Sequence, residues 1–176
     1  SKGAHQANLA AAEQALRSGD SALQAMAFSR LYANEGFDEH ASDAELWSRL
    51  AHAAAARVSS NWEVEAELAA NDAVVALEKK QFGPALADLT RRLRLQEEHL
   101  GPEHPDVAET LNNVGVALTY LGRLDEAIAQ YERSLAIHEA VEGEHHPSTA
   151  TAEHNLGIAL RRLGRHEEAR RRLATA

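Results

Sequence analysis

Cysteine is absent from the 176 residues. That excludes disulfides, a thiol nucleophile and any zinc site built on thiolates, and it suits a reducing, cytoplasmic setting. Aromatic residues make up only 5% and proline occurs four times. Those shortages argue against a β-sandwich, whose strands want aromatic and β-branched residues, and abundant alanine favours closely packed helices. Positive charge is short too. The formal net charge is −9, so neither nucleic acid nor an anionic membrane is an expected partner. The uncharged run 110–122 is too short to span a bilayer and contains two asparagines. The opening "SKGAHQANLAAAEQ" lacks the apolar core of a signal peptide.

What is present is a repeat. Setting 101–134 against 143–176 gives 13 identities in 34 pairs. They include Gly101/Gly143, His104/His146, Pro105/Pro147, Asn113/Asn155, Gly115/Gly157, Leu118/Leu160, Gly122/Gly164 and Ala127/Ala169. A fixed period of this size implies stacked supersecondary units, because one helix pair cannot bury its apolar face alone. A fainter copy one period earlier aligns Asn71 with Asn113, Phe82 with Leu124 and Ala85 with Ala127. A more divergent one is expected over 20–60.

Each unit reads as two helices. Leu111, Val114, Gly115, Leu118 and Leu121 recur at three- and four-residue steps, the stripe of one buried face. Gly122 ends that helix as a C′ residue, and Ala127, Ile128, Tyr131 and Leu135 line the next. Capping boxes begin at Ser42 and Ser60, Pro84 suits a first turn, and the linker "GPEHP" lets His104 and His146 serve a helix start. Helices are expected near 4–18, 20–35, 42–58, 61–79, 84–99, 105–121, 124–140, 147–163 and 166–175. Two polar residues break the pattern, Asp72 where Val114 and Leu156 stand and Glu153 where Leu111 stands.

With Leu111, Gly115, Leu118, Gly122, Ala127, Tyr131 and Leu135, the block "LNNVGVALTYLGRLDEAIAQYERSLAI" resembles a tetratricopeptide repeat. The 42-residue form with its "LGPEHPDVA" linker is similar to the repeats of kinesin light chains. The irregular first half followed by such repeats is also similar to repeat regions behind bacterial, notably myxobacterial, serine/threonine kinase domains, although the chain carries no kinase motif. The resemblance implies an all-α, right-handed α-solenoid of antiparallel helix pairs. Its expected parts are a single helix over 1–19, a divergent pair over 20–60, a degenerate repeat over 61–100, a repeat over 101–142 and a truncated one over 143–176.

In such arrays the first helix of each pair lines a concave groove. The resemblance therefore places a peptide-binding face on Asn71 and Glu78, on Glu109, Asn112, Asn113, Val116 and Tyr120, and on His154, Asn155, Ile158, Arg161 and Arg162. Asn71, Asn113 and Asn155 recur at the repeat spacing. An amide matches the donor and acceptor of a peptide unit, so these asparagines either hold an extended ligand or hydrogen-bond the adjacent helix. Arg161, Arg162 and His154 make one end basic, which favours acidic residues in the ligand there.

The histidines of "EGEHHP" form no zinc motif, and no nucleophile elbow or comparable context activates a serine. No catalytic residue, metal or cofactor is expected. The leading function is a non-catalytic protein–protein interaction module taking a peptide or partner segment. The alternative is a regulatory segment of a larger signalling enzyme such as a serine/threonine kinase, self-associating through exposed repeat ends.

Overall fold

A computed structural model describes residues 2–35, 41–58 and 61–175, with side chains placed over 6–32, 46–58 and 61–174. Its helices are α1 (Lys2–Ser18), α2 (Ser21–Glu35), α3 (Ala41–Ala55), α4 (Trp62–Glu78), α5 (Phe82–Leu100), α6 (Pro105–Tyr120), α7 (Leu124–Val141), α8 (Pro147–Arg162) and α9 (His166–Thr175). No strand occurs among the described residues. One series of helices begins at Ser21, Trp62, Pro105 and Pro147, and the other at Ala41, Phe82, Leu124 and His166. The period read from the last two repeats thus runs back through the divergent first half.

The helices group into two compact units, Ser1–Lys79 and Lys80–Ala176. The division falls inside the segment 61–100 that the sequence treats as one repeat. In the first unit α1, α3 and α4 all pack on α2. Its core is small-residue rich, with Ala12, Ala15, Ala25, Phe28, Leu31, Ala51, Val64 and Leu68 buried together. Phe28 stacks on Trp47 with ring centroids 5.9 Å apart. In the second unit α5 packs on α6, α6 on α7, α7 on α8 and α8 on α9. Val107, Ala108, Leu111 and Ile137 are buried together there, with Leu93 against them.

The helix ends have local causes. Each of α6 and α8 starts with proline at its first turn, preceded by a histidine whose side chain accepts a backbone N–H two residues on. Each stops in the same way. The Arg123 N–H donates to the Leu118 carbonyl (3.0 Å) and that of Gly122 to Thr119 (3.3 Å), and Arg165 and Gly164 repeat the pattern on Leu160 and Arg161. This paired closure needs a residue at positive φ, which Gly122 (76°) and Gly164 (88°) adopt without steric cost. Beyond the turns, Arg123 reaches Glu126 and Arg165 reaches Glu168 through two hydrogen bonds each. These bonds raise the arginine pKa values and lower those of the glutamates.

Two local expectations are refined. The helix expected over 42–58 stops at Ala55, with turns closing 56–58. The α4 cap is Asn61, whose side chain accepts from the N–H groups of Glu63 and Val64. Ser60, and the side chains of the box at Ser42, lie outside the described residues. Ser134 is fully buried on α7, and its hydroxyl donates to the Ala108 carbonyl at 2.7 Å.

Candidate functional site

In the second unit, two parallel stripes run along α6 and α8, opposite buried Leu111, Val114, Leu118, Leu156 and Leu160. Asn112, Asn113, Val116, Asn155 and Ile158 are half-buried, whereas Glu109, Tyr120, His154, Arg161 and Arg162 are exposed. The stripes are linked. Asn155 Nδ2 donates to Asn112 Oδ1 at 3.0 Å. At the other end Arg162 Nη1 donates to the Thr119 carbonyl at 3.4 Å, and its guanidinium lies 5.5 Å from the centre of the Tyr120 ring.

Tyr120 also stacks on Phe82 at the start of α5, with centroids 4.5 Å apart and planes 4° from parallel. Phe82, Tyr120 and Arg162 therefore make a continuous aromatic and cationic surface, although Tyr120 itself remains 57% exposed. The sequence reading omits Phe82 from the site, because the repeat alignment places it in a second helix opposite Leu124, a core-type position. Thr119, next to Tyr120, is buried, and its hydroxyl donates to the Gly115 carbonyl at 2.8 Å.

Charge is divided along these helices. The Arg161 guanidinium makes no hydrogen bond or ion pair among the described residues, and that of Arg162 meets a carbonyl and a ring. By contrast Arg123, Arg133, Arg165, Arg170 and Arg172 all pair with carboxylates. At the opposite end, Asp106, Glu109, Asn112 and Glu142 help line a cavity of about 240 Å³. The face is thus acidic near the helix starts and basic with aromatics near their ends.

The two remaining candidates belong to the first unit. Glu78 is exposed at the end of α4. Asn71 is buried, and its Nδ2 donates to the Ser29 carbonyl at 3.2 Å and to the Ser29 hydroxyl. Ser29 stands one period before Asn71, so it occupies the asparagine's place in its own repeat. The same alignment is the signal that finds it. Asp72, in its apolar register, is accommodated by His52, whose Nε2 lies 3.0 Å from the carboxylate. Glu153 is buried with Arg172 at 3.8 Å. No cluster of three or more His, Cys, Asp or Glu suited to a metal ion occurs among the described residues.

A family model described as tetratricopeptide repeat matches residues 64–140 and again 106–176. The chain belongs to the tetratricopeptide repeat family. No curated protein sequence matches it. Among solved structures it is similar to BtubC (BKLC) from P. vanneervenii, with a TM-score of 0.78 at 18% identity over 97% of this chain and 71% of that one. It is also similar to a Podosopora anserina protein described as a kinesin light chain with nearly identical TPR-like repeats (TM-score 0.67, 21% identity, 87% and 73% covered). A third is MamA AMB-1 (TM-score 0.55, 18% identity, 92% and 84% covered). At such identities the likeness shows the fold, and that fold is the tetratricopeptide repeat α-solenoid with kinesin-light-chain-like repeats. Tetratricopeptide repeats generally mediate protein–protein interaction. No described helix is long and apolar enough to cross a membrane.

Proposed function

We propose that this tetratricopeptide repeat chain is a non-catalytic scaffold whose α6–α8 face holds an extended, acidic peptide segment of a partner protein. The observation that carries the reading is Arg161 and Arg162, two adjacent guanidiniums without a carboxylate partner among the described residues, beside the Phe82–Tyr120 stack. In a chain of net charge −9, such a pair costs less when an acidic ligand faces it. Asn113 supplies a half-exposed amide without a described hydrogen bond, suited to a peptide's own N–H and carbonyl. Between Glu109 and Tyr120 the helix rises about 16 Å at 1.5 Å per residue, the span of about five extended residues. Val116 and Ile158 offer apolar contact midway. The ligand's acidic part belongs at the arginine end, since Glu109 repels it at the other.

Selection from a randomised peptide display library tests this. Wild type is expected to enrich sequences rich in aspartate and glutamate. Arg161→Glu should weaken the selected peptides about tenfold or more, a loss of about 1.4 kcal/mol, with the circular dichroism spectrum unchanged. Peptides bound equally by both proteins would place the interaction on another surface.

A further inference from the structure

The N-termini of α6 and α8 are capped by histidine side chains. The Asp106 N–H donates to His104 Nδ1 at 3.2 Å, and the Ser148 N–H donates to His146 Nδ1 at 3.3 Å. Serine, threonine, asparagine and aspartate usually fill this position, and within the pH range of folded proteins their acceptor oxygens persist. An imidazole nitrogen accepts only while it carries no proton. Both rings must therefore hold their proton on Nε2 for the caps to exist, and a second proton abolishes each cap. The arrangement recurs at the repeat spacing with a proline following each histidine.

The surroundings of the two rings differ. At His104 the nearest carboxylate oxygen is Asp106 Oδ2, 3.8 Å from Nδ1. Glu103 adjoins it in the linker. From α7, Arg133 is committed to the Pro102 carbonyl and to Glu97 of α5. At His146 the Glu142 Oε2 lies 3.0 Å from the capping nitrogen and 2.7 Å from Nδ1 of buried His138. Glu144 and His145 complete that linker, and Asp106 and Glu109 of α6 line one cavity with Glu142, His138 and Ser148. Glu142 is thus already nearer to His146 Nδ1 than the Ser148 N–H is, and a proton on that nitrogen is donated to Glu142 while the Ser148 contact is lost. A protonated His104 has only the longer contact to Asp106.

We propose that these linkers are acid-released helix caps, in which protonation of His104 and His146 frees the first turns of α6 and α8 and leaves His146 on Glu142 alone. The inference stands apart from the peptide reading, because it uses neither the arginine pair nor the asparagines.

Nitrogen-15 spectra of the imidazoles and backbone amides, recorded from about pH 8 to about pH 5, test it in the wild-type protein, since histidines change charge in that interval. The Asp106 and Ser148 amides are expected to shift together with protonation of Nδ1 in His104 and His146 respectively. A His104→Asn/His146→Asn variant keeps an acceptor that does not titrate there. Its thermal midpoint should fall on acidification by about 2–4 °C less per cap than that of wild type, given about 1 kcal/mol for a cap. Amides that stay fixed while the rings titrate overturn the proposal. So does an equal acid-induced fall in wild type and the double variant, which would assign the pH sensitivity to the other histidines.

Discussion

Replacing Gly115 with alanine is expected to destabilise the protein by about 2 kcal/mol, while the same change at Gly157, its partner in the next repeat, alters stability by less than about 1 kcal/mol. The two glycines align in sequence, both lie on first helices, and both face a second helix. They differ in what a methyl group would meet. At Gly115 a Cβ would lie 2.6–2.8 Å from three atoms of the Tyr131 ring. That ring is 2% exposed, and its hydroxyl meets that of Thr119 at 3.3 Å. Burial raises the Tyr131 pKa, the Thr119 contact opposing the shift. A rigid, enclosed ring cannot step aside, so α6 and α7 must separate. At Gly157 the near atoms are Leu173 Cγ and Cδ2, at 2.7 and 2.8 Å. Leu173 is 36% exposed and can rotate outward. Against either clash stands the gain of about 1 kcal/mol from alanine over glycine in a helix, which decides the Gly157 case and only softens the other. Urea midpoints of the two variants measure the difference, and equal losses would refute this account of α6–α7 packing.

Asn71→Ala is expected to cost about 2 kcal/mol, and Asn113→Ala about 0.5 kcal/mol or less. Asn71 is buried, and its amide serves both polar atoms of Ser29. Removing it leaves a buried hydroxyl and carbonyl without that donor, which costs more than the hydrogen bonds themselves contribute. Asn113 is half-exposed, and water replaces whatever its amide gives up. Asn155 falls between, because its bond to Asn112 is only partly buried. The same two variants carry information about binding. A loss of peptide affinity in Asn113→Ala at unchanged stability locates the ligand on α6. If both alanines proved equally destabilising, Asn113 would have to be a packing residue too.

Most of the fold is legible in the sequence because the repeat places its signals where backbone geometry is decided. Gly122 and Gly164 stop helices, Pro105 and Pro147 start them, and the three- and four-residue stripe from Leu111 to Leu118 gives the buried face. Less legible are features that depend on which neighbour a side chain meets. The alignment puts three asparagines in one column, yet it does not say that Asn71 turns to Ser29 or that Asn155 chooses Asn112 over Asn113. Asp72 looks like a defect in sequence because His52, which balances it, lies twenty positions away in a divergent helix. The stack of Phe82 on Tyr120 joins a second helix to the following first helix, a pairing that the spacing within one repeat does not contain.

The matched helix ends bear on how such a chain changes length over generations. The block from Pro105 to His146 opens behind one capping histidine and finishes on the next. A duplicated copy inserted at that boundary would meet, on either side, junctions already present in the parent. The copied stretch encodes its own glycine stop and the cap of whichever block follows it. Gains and losses of whole blocks are then tolerated where shifts by a few residues are not, and unequal recombination between the copies becomes the natural route by which the array grows or shrinks.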